Sequence, residues 1–249
     1  MTAAASRAAA RPVITLTTDF GPGSPYVAAI KAALLAGCPE ATLVDISHAV
    51  SASDLESAGF VLWAGTRHFS PGSVHLAVVD PGVGTERRPV AVQLGHSFWV
   101  APDNGLLSML LRESPQEPEA VELRRPEAAS PTFEGRDLFA PAAAALAAGQ
   151  RLRALGQPLA GLVRLDQPSP RVLWVDGFGN LVTSLKPPVG GVKVGPVSVR
   201  RAGRTYGAVA PGELFFYTGS MGFVEIGVRN GRADLLLGAG PGTLVQPLP

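Results

Sequence analysis

The stretch from Val74 to Arg87 constrains the fold of this chain more than any other. Its first six residues form a short, valine-rich apolar run, which predicts a buried β-strand, and the run stops at Asp80-Pro81-Gly82. Asp80 is therefore expected at the carboxyl end of a strand, and glycines in the following loop allow a turn that brings Arg87 back beside it. In open α/β sheets, ligands bind at this end of the strands.

The same residues can be compared with three other kinds of loop, two of which the sequence excludes. An Asp-Pro-Gly sequence after a strand is also typical of an ordinary turn, and that alternative stays open at this point. A dinucleotide-binding loop is excluded, because Arg87 stands where Gly-x-Gly-x-x-Gly requires its third glycine. A phosphate-binding loop is excluded because no Gly-Lys-Ser/Thr sequence follows.

Composition excludes several classes of partner. The 249 residues are 46% hydrophobic and 16% charged, which predicts a globular protein with a sizeable core in one large or two modest domains. The net charge is +1 and no basic stripe alternates with aromatic residues, so nucleic acid is not an expected partner. The single cysteine, Cys38, permits no internal disulfide and favours a reducing cytoplasm.

Membrane, leader and metal signals are also missing from the sequence. No apolar run approaches the ~20 residues of a membrane-spanning helix, so no membrane partner is expected. Residues 1–12 are predicted to be a disordered tail, because the alanine-rich opening carries Arg7 and lacks the continuous apolar core of a secretory signal. The four histidines lack the spacing of zinc ligands, so no metal site is predicted: His48, His68, His75 and His96.

Predicted strands and helices alternate in the first part of the chain. The β-branched run from Val13 to Thr18 predicts a strand that ends at Asp19, and Ser24 and Pro25 suit the N-cap and first position of a helix. A strand at residues 42–46, a helix from about residue 53 and the Val74 strand follow. This order indicates a layered α/β domain, which we place at residues 13–160.

A proline-rich stretch at residues 161–170 is predicted to be a linker. Residues 171–249 contain short predicted strands separated by glycine and proline, one of them at residues 192–199, and no convincing helix, which suggests a small β-barrel or sandwich. In this part, Asp176-Gly177-Phe178-Gly179-Asn180 places an acid and an amide around one aromatic ring. The amide suits a base edge and the ring its face, although a glycine-rich turn with an exposed phenylalanine is an equal alternative.

These residues together resemble the family of S-adenosylmethionine (SAM) hydroxide adenosyltransferases, hydrolases that are related to fluorinase and chlorinase. The resemblance extends from Ile14 to about Leu244. It is carried by seven stretches in order: residues 17–21 (TTDFG), 44–48 (VDISH), 79–88 (VDPGVGTERR), 102–106 (PDNGL), 133–137 (FEGRD), 176–180 (DGFGN) and 205–207 (TYG).

The resemblance implies a fold and an assembly. We expect an α/β/α layered, Rossmann-like N-terminal domain and a small C-terminal β-barrel domain. The resemblance also implies a homotrimer, in which the substrate lies between the N-terminal domain of one subunit and the C-terminal domain of its neighbour. SAM would be the substrate, with no separate cofactor and no metal.

Roles for individual residues follow from the same resemblance. Asp19 would hold the ribose hydroxyls, and Ser24 and Tyr26 would lie near the methionine amine. The remaining expected substrate-binding residues are Asp176 and Asn180 for polar atoms of the ligand, Phe178 and Tyr206 against the adenine, and Ser220 at the methionine carboxylate. Phe133 is also expected in the substrate site, without a particular atom of the ligand.

The catalytic residues implied by the resemblance are Asp80, Arg87 and Glu134. The family pattern is an Asp, an Arg and a His around the attacking water, and Glu134 stands in the place of the histidine. A second departure is Met221 after Ser220, where relatives carry polar or cationic residues. Both departures leave the expected fold unchanged and bear on the rate and the reaction.

We therefore predict hydrolysis of SAM to adenosine and methionine. The leaving thioether departs neutral, so the chemical task is to position a water and remove its proton, which a carboxylate such as Asp80 can do. One alternative is a halogenase, disfavoured because Asp80 and Glu134 would repel a halide. Another is a non-catalytic protein that binds an adenosyl ligand and has lost the chemistry at Glu134.

Overall fold

The computed structural model describes residues 11–166 and 169–249. All but the last two positions of the predicted tail lie outside the described residues. The chain divides into two compact units, one ending at Arg164 and the other beginning at Leu165. Each unit has its own hydrophobic core.

The first unit is built on a seven-stranded mixed sheet. Four strands are parallel neighbours and three extend the sheet in antiparallel pairs, in the order β2-β1-β3-β5-β4-β6-β7. The strands are β1 (Val13–Thr18), β2 (Thr42–Ser47), β3 (Val74–Val78), β4 (Pro89–Leu94), β5 (Ser97–Pro102), β6 (Glu119–Leu123) and β7 (Gly156–Pro158).

Helices cover this sheet through two separate core clusters. One cluster joins β1 and β3 to α1 (Pro25–Gly37) and α4 (Ala140–Ala147), and the other contains residues of α2 (Leu55–Thr66) and α3 (Ser108–Glu113). Residues of β3 alternate between the clusters, with Leu76 in the first and Ala77 in the second. Because successive strand residues face opposite ways, the sheet carries an apolar core on both faces.

The second unit consists mainly of two antiparallel sheets. Their strand orders are β11-β10-β14 and β12-β13-β9-β8. The elements are β8 (Val172–Val175), β9 (Leu181–Thr183), β10 (Gly191–Val194), β11 (Val197–Val199), β12 (Leu214–Thr218), β13 (Val224–Val228), the short helix α5 (Ala233–Leu237) and β14 (Val245–Leu248). The prediction of a mixed α/β fold followed by a β-rich unit is confirmed.

Several elements differ from the sequence prediction. The region expected as one strand at residues 192–199 is a hairpin that turns at Gly195, whose φ of 54° favours glycine. The expectation of no helix after residue 170 is wrong, since α5 forms one turn that ends at Gly238. Strands β6 and β7 were not predicted, because both are short and β6 carries two glutamates.

Helix α4 is preceded by a π-helical turn at Gly135–Phe139. Such turns insert an extra residue and are frequent at functional sites. The start of the predicted linker is bound to the first unit, since the Val163 amide donates to Asp103 Oδ1 at 2.8 Å. Among the residues described, no helix is both long and apolar enough to cross a membrane.

Candidate active site

Two strand ends bring Asp19 and Asp80 to one edge of the sheet. Parallel pairing of β1 with β3 aligns Thr18 with Val78, so both strands reach the same edge at the same level. The backbone amide of Asp80 donates to Oδ2 of Asp19 at 3.1 Å. Burial raises the pKa of the Asp19 carboxyl above its ordinary value, although the bond from the Asp80 amide acts in the opposite direction.

The loop after Asp80 returns Arg87 to it. Val83 N donates to the Asp80 carbonyl, and Gly84 has a φ of 80°, which lets the chain reverse. Arg87 Nε then donates to both carboxylate oxygens of Asp80 at 3.0 Å, and Nη2 contacts Oδ2 as well. The two side chains are only 8% and 5% exposed, so this ion pair is largely removed from solvent.

Arg87 keeps its charge in this buried position. Desolvation disfavours the guanidinium, but hydrogen bonds and charges from Asp80 and then Glu134 outweigh it and raise the pKa of Arg87. A permanently protonated arginine can hold a carboxylate in one orientation. The pair therefore presents a fixed carboxylate at the ligand edge.

Glu134 approaches Arg87 from the residue before the π-helical turn. Its Oε2 forms an ion pair with Arg87 Nη2, and its Oε1 accepts a hydrogen bond of 2.8 Å from Arg125 Nε. Within the described residues, Glu134 Oε2 and Arg87 Nη1 have no partner that meets hydrogen-bond geometry. Glu134 Oε2 is nevertheless held by its ion pair with Arg87 Nη2, whereas Arg87 Nη1 is a buried donor beside Asp80 without a hydrogen-bond partner in the described residues.

Aromatic rings lie next to this charged group. Tyr26 and Phe133 meet edge to face at 5.1 Å between centroids, and Phe20 lies about 6 Å from both rings. Ser24 caps α1, with its hydroxyl accepting from the Tyr26 amide at 3.3 Å. The structure therefore gathers Phe20, Tyr26 and Phe133, and Tyr26 is 57% exposed and accessible to a ligand.

The five candidate residues of the second unit line one open cavity of about 630 Å³. Asn180 is buried and Phe178 is 78% exposed, so an amide and an accessible ring face the same space. Tyr206 adds a second ring, whose hydroxyl lies 3.1 Å from that of Tyr217. The candidate residues lining the cavity are Asp176, Phe178, Asn180, Tyr206 and Ser220.

Asp176 shapes this cavity through its own turn. Its Oδ1 accepts from the amides of Phe178 and Asn180 at 2.9 Å, and its Oδ2 accepts from the Asn180 side chain at 2.6 Å. These bonds orient the Asn180 side chain. The glycine-rich turn and the candidate binding role, which the sequence left as alternatives, are thus both compatible with this geometry.

Sequence reasoning missed Arg125, Tyr217 and Glu225. The last two also line the cavity, where burial raises the pKa of the Glu225 carboxyl and that of the Tyr217 hydroxyl. Residues two apart in a strand share a face, so the alternation within β12 and β13 could have predicted which of their residues face the cavity. Arg125 follows β6, the strand that was not predicted.

The histidines contact neighbouring residues of the first unit. His48 Nδ1 lies 2.9 Å from the Thr18 hydroxyl, and His75 Nδ1 lies 2.9 Å from that of Thr15. In residues 11–166 and 169–249, no cluster of three or more histidine, cysteine, aspartate or glutamate side chains is arranged to hold a metal ion.

Family models match both units of the chain. Residues 14–156 match the SAM hydroxide adenosyltransferase N-terminal domain, and residues 170–246 match the C-terminal domain of the same family. The chain belongs to the SAM hydroxide adenosyltransferase family. Glu134, where the sequence resemblance implies a departure from the family pattern, is bound by Arg125.

The relatives of this SAM hydroxide adenosyltransferase family member include hydrolases and a fluorinase. It is 43% identical to an (R)-S-adenosyl-L-methionine hydrolase of Thermus thermophilus, over 96% of this chain and 100% of the relative. An (R)-S-adenosyl-L-methionine hydrolase of Salinispora tropica is 39% identical over 93% of this chain and 95% of the relative. A fluorinase of Nocardia brasiliensis is 29% identical over 73% of this chain and 70% of the relative.

Solved structures show the same fold over nearly the whole length. An uncharacterized conserved protein of Thermotoga maritima matches with a TM-score of 0.87 at 32% identity, covering 95% of this chain and 100% of that chain. A conserved hypothetical protein of Thermus thermophilus matches with a TM-score of 0.80 at 41% identity, covering 96% of this chain and 100% of that chain.

Proposed function

We propose that this protein hydrolyses SAM to adenosine and L-methionine. The observation that carries the proposal is the buried Asp80–Arg87 pair with Glu134, held at the ligand edge of a SAM hydroxide adenosyltransferase. Because the curated relatives are named for the (R) sulfonium epimer, we extend that preference to this chain.

The reaction is an in-line substitution at the ribose C5′. The water oxygen forms a bond to C5′ as the C5′–S bond breaks, and the bonding electrons return to sulfur, which leaves as the neutral thioether of methionine. Asp80 accepts the proton from the water, and Arg87 holds that carboxylate in place. Glu134 forms an ion pair with Nη2 of the same Arg87 guanidinium.

The remaining candidate residues bind the substrate. In the first unit, Asp19 takes the ribose hydroxyls, Ser24 and Tyr26 lie near the methionine amine, and Phe133 provides an apolar wall. In the second unit, the cavity takes the adenine through Asn180, Phe178 and Tyr206, with Ser220 at the methionine carboxylate. Asp176 acts through the Asn180 amide that it orients.

In the same proposal, the active assembly is a homotrimer whose sites combine the first unit of one subunit with the second unit of its neighbour. This agrees with the division of candidate residues between two units. The proposed domains are residues 13–160, Rossmann-like and layered, and 171–249, a closed barrel, joined by 161–170 as linker. The single buried Cys38 fits a cytoplasmic protein, and no separate cofactor is required.

A product assay tests the activity. Purified protein is incubated with the (R) and (S) epimers of SAM, with and without chloride or fluoride, and nucleosides and methionine are quantified. Equal amounts of adenosine and methionine, with faster loss of the (R) epimer, are expected. A 5′-halogenated nucleoside would show a halogenase, and binding without depletion would show a non-catalytic adenosyl-binding protein.

A further inference from the structure

Arg125 contacts the Asp80–Arg87–Glu134 group through Glu134 and the main chain of Arg87. On the basis of the proposed function, we infer that Arg125 is a positioning residue for hydrolysis. It holds the Glu134 carboxylate and the main chain of Arg87, and it thereby fixes the guanidinium that orients Asp80.

Strand register explains why Arg125 reaches this place. The antiparallel pairing of β4 with β6 sets Val90 opposite Glu122. Continued by three residues in each strand direction, the same register sets Arg87 opposite Arg125. Arg125 Nη2 indeed donates to the Arg87 carbonyl at 2.7 Å, outside the last paired residues of the sheet. The sheet itself therefore carries Arg125 to the catalytic loop.

The contacts of Arg125 form a continuous path to the proposed base. Arg125 Nε donates to Glu134 Oε1 at 2.8 Å, Glu134 Oε2 pairs with Arg87 Nη2, and Arg87 Nε donates to both oxygens of Asp80. The Arg87 guanidinium also lies 5.4 Å above the ring of Phe139. Side-chain position along this path is therefore set by Arg125 at one end and Asp80 at the other.

Arg125 also balances the negative charge of the two carboxylates. Asp80 and Glu134 place two buried carboxylates on the one guanidinium of Arg87, and Arg125 brings the second positive charge. Buried charges are stable only when paired, and removal of one partner leaves the other uncompensated. Asp19 is the next acidic group, which reaches this cluster through the Asp80 amide.

Without Arg125, the carboxylates of Asp80 and Glu134 share the single cation of Arg87, which then holds Asp80 less firmly. Arg125 is itself 40% exposed, so its removal opens no large cavity in the core. The adjacent Arg124 is exposed and is bound through its backbone amide to Leu155, which makes it a matched control of equal charge.

The test compares Arg125→Ala, Arg124→Ala, Glu134→Gln and the double variant of residues 125 and 134, as full-length proteins. Arg125→Ala is expected to lower kcat about tenfold with KM within about twofold, because the proposed base loses its fixed position while the substrate contacts remain. Arg124→Ala should match the wild type. In the Glu134→Gln background, loss of Arg125 should change kcat by less than about twofold.

Two outcomes overturn the inference. One is an Arg125→Ala protein whose kcat and KM match those of Arg124→Ala, and the other is a loss of kcat that persists undiminished when Glu134 is already Gln. Urea unfolding of the wild type, the single variants at residues 125 and 134 and their double variant tests the contact without turnover. Coupled residues give non-additive changes in the free energy of unfolding, and additive changes would refute the pairing. A wild-type protein that binds SAM without hydrolysing it would instead refute the proposed function. The unfolding measurements would still test the contact between Arg125 and Glu134.

Discussion

At the scale of individual residues, the proposed mechanism assigns proton acceptance to one side chain and its positioning to the neighbouring charged groups. Asp80 meets Arg87 through both carboxylate oxygens, while Glu134 is bound between two guanidiniums. Glu134 is therefore held by Arg125 and Arg87, and in the proposed mechanism Asp80 is the carboxylate that accepts the proton. The sequence predicted the Asp80–Arg87 contact because two glycines in a short loop allow the return. It did not predict Arg125.

Replacing Asp80 with Asn should lower kcat by about 100-fold to 10,000-fold, because the amide keeps the shape but cannot accept the proton. Ligand affinity, measured by calorimetry, should change little. Asp103→Asn is the matched control, since Asp103 is an equally buried carboxylate paired with Arg88. Its loss should reduce stability without a comparable loss of kcat. An Asp80→Asn protein with the wild-type rate would make Asp80 only a turn residue.

His75 should make the unfolding free energy depend on pH. Burial lowers the pKa of His75 from 6.5 to about 4, so between these values the unfolded chain binds a proton that the folded chain does not. Stability should therefore fall as the pH drops through this interval, by up to about 3 kcal/mol for this one group.

Urea unfolding from pH 7 to pH 4 measures this dependence. His75→Gln should flatten the slope relative to the wild type, whereas the same change at the exposed His68 should leave the slope unaltered. Parallel slopes for the wild type and His75→Gln would refute the assignment.

At the scale of elements, strand ends and capped helices were predictable and edge strands were not. The β-branched run of β1 and the Ser24 cap of α1 carry local signals, and both lie where the sequence placed them. Strand β6 lacked such a signal, because its polar residues resemble a loop until β4 pairs with it. Missing that strand concealed the register that brings Arg125 to Arg87.

Gly227 in strand β13 leaves room for side chains that line the cavity of the second unit. A Cβ on Gly227 would lie 2.8 Å from Asn180 Oδ1, 3.2 Å from the Tyr217 ring and 3.3 Å from the Tyr206 ring. Gly227→Ala should therefore displace these side chains and raise KM for SAM about tenfold, with a smaller change in kcat.

Gly240→Ala is the matched control, because a Cβ there meets nothing within 4 Å. Steady-state kinetics of the two variants measure KM for SAM. Equal KM values would mean that the cavity does not bind the substrate.

At the scale of the whole molecule, the candidate residues fall into two sets on two compact units. The order of the family motifs predicted this division, since the acids and Arg87 precede the linker and the glycine-rich turn follows it. Family membership is shown along nearly the whole chain. Which units combine to form a site depends on contacts between distant surfaces, for which local sequence patterns carry no signal.

If sites combine units of neighbouring subunits, the active protein should be a trimer. Light scattering coupled to size exclusion should give three times the 25.7 kDa chain mass at assay concentrations. Dilution that dissociates the assembly should abolish turnover. A fully active monomer would contradict this expectation.

The origin of the oxygen in the product tests the central claim most directly, namely that a water activated at Asp80 attacks the ribose C5′. Turnover of SAM in water enriched in ¹⁸O, followed by mass spectrometry of the adenosine, measures it. We expect one ¹⁸O atom per adenosine, located on the 5′ hydroxyl, with unlabelled methionine released in equal amount. Adenosine without the label, or SAM recovered intact after binding, would contradict the account.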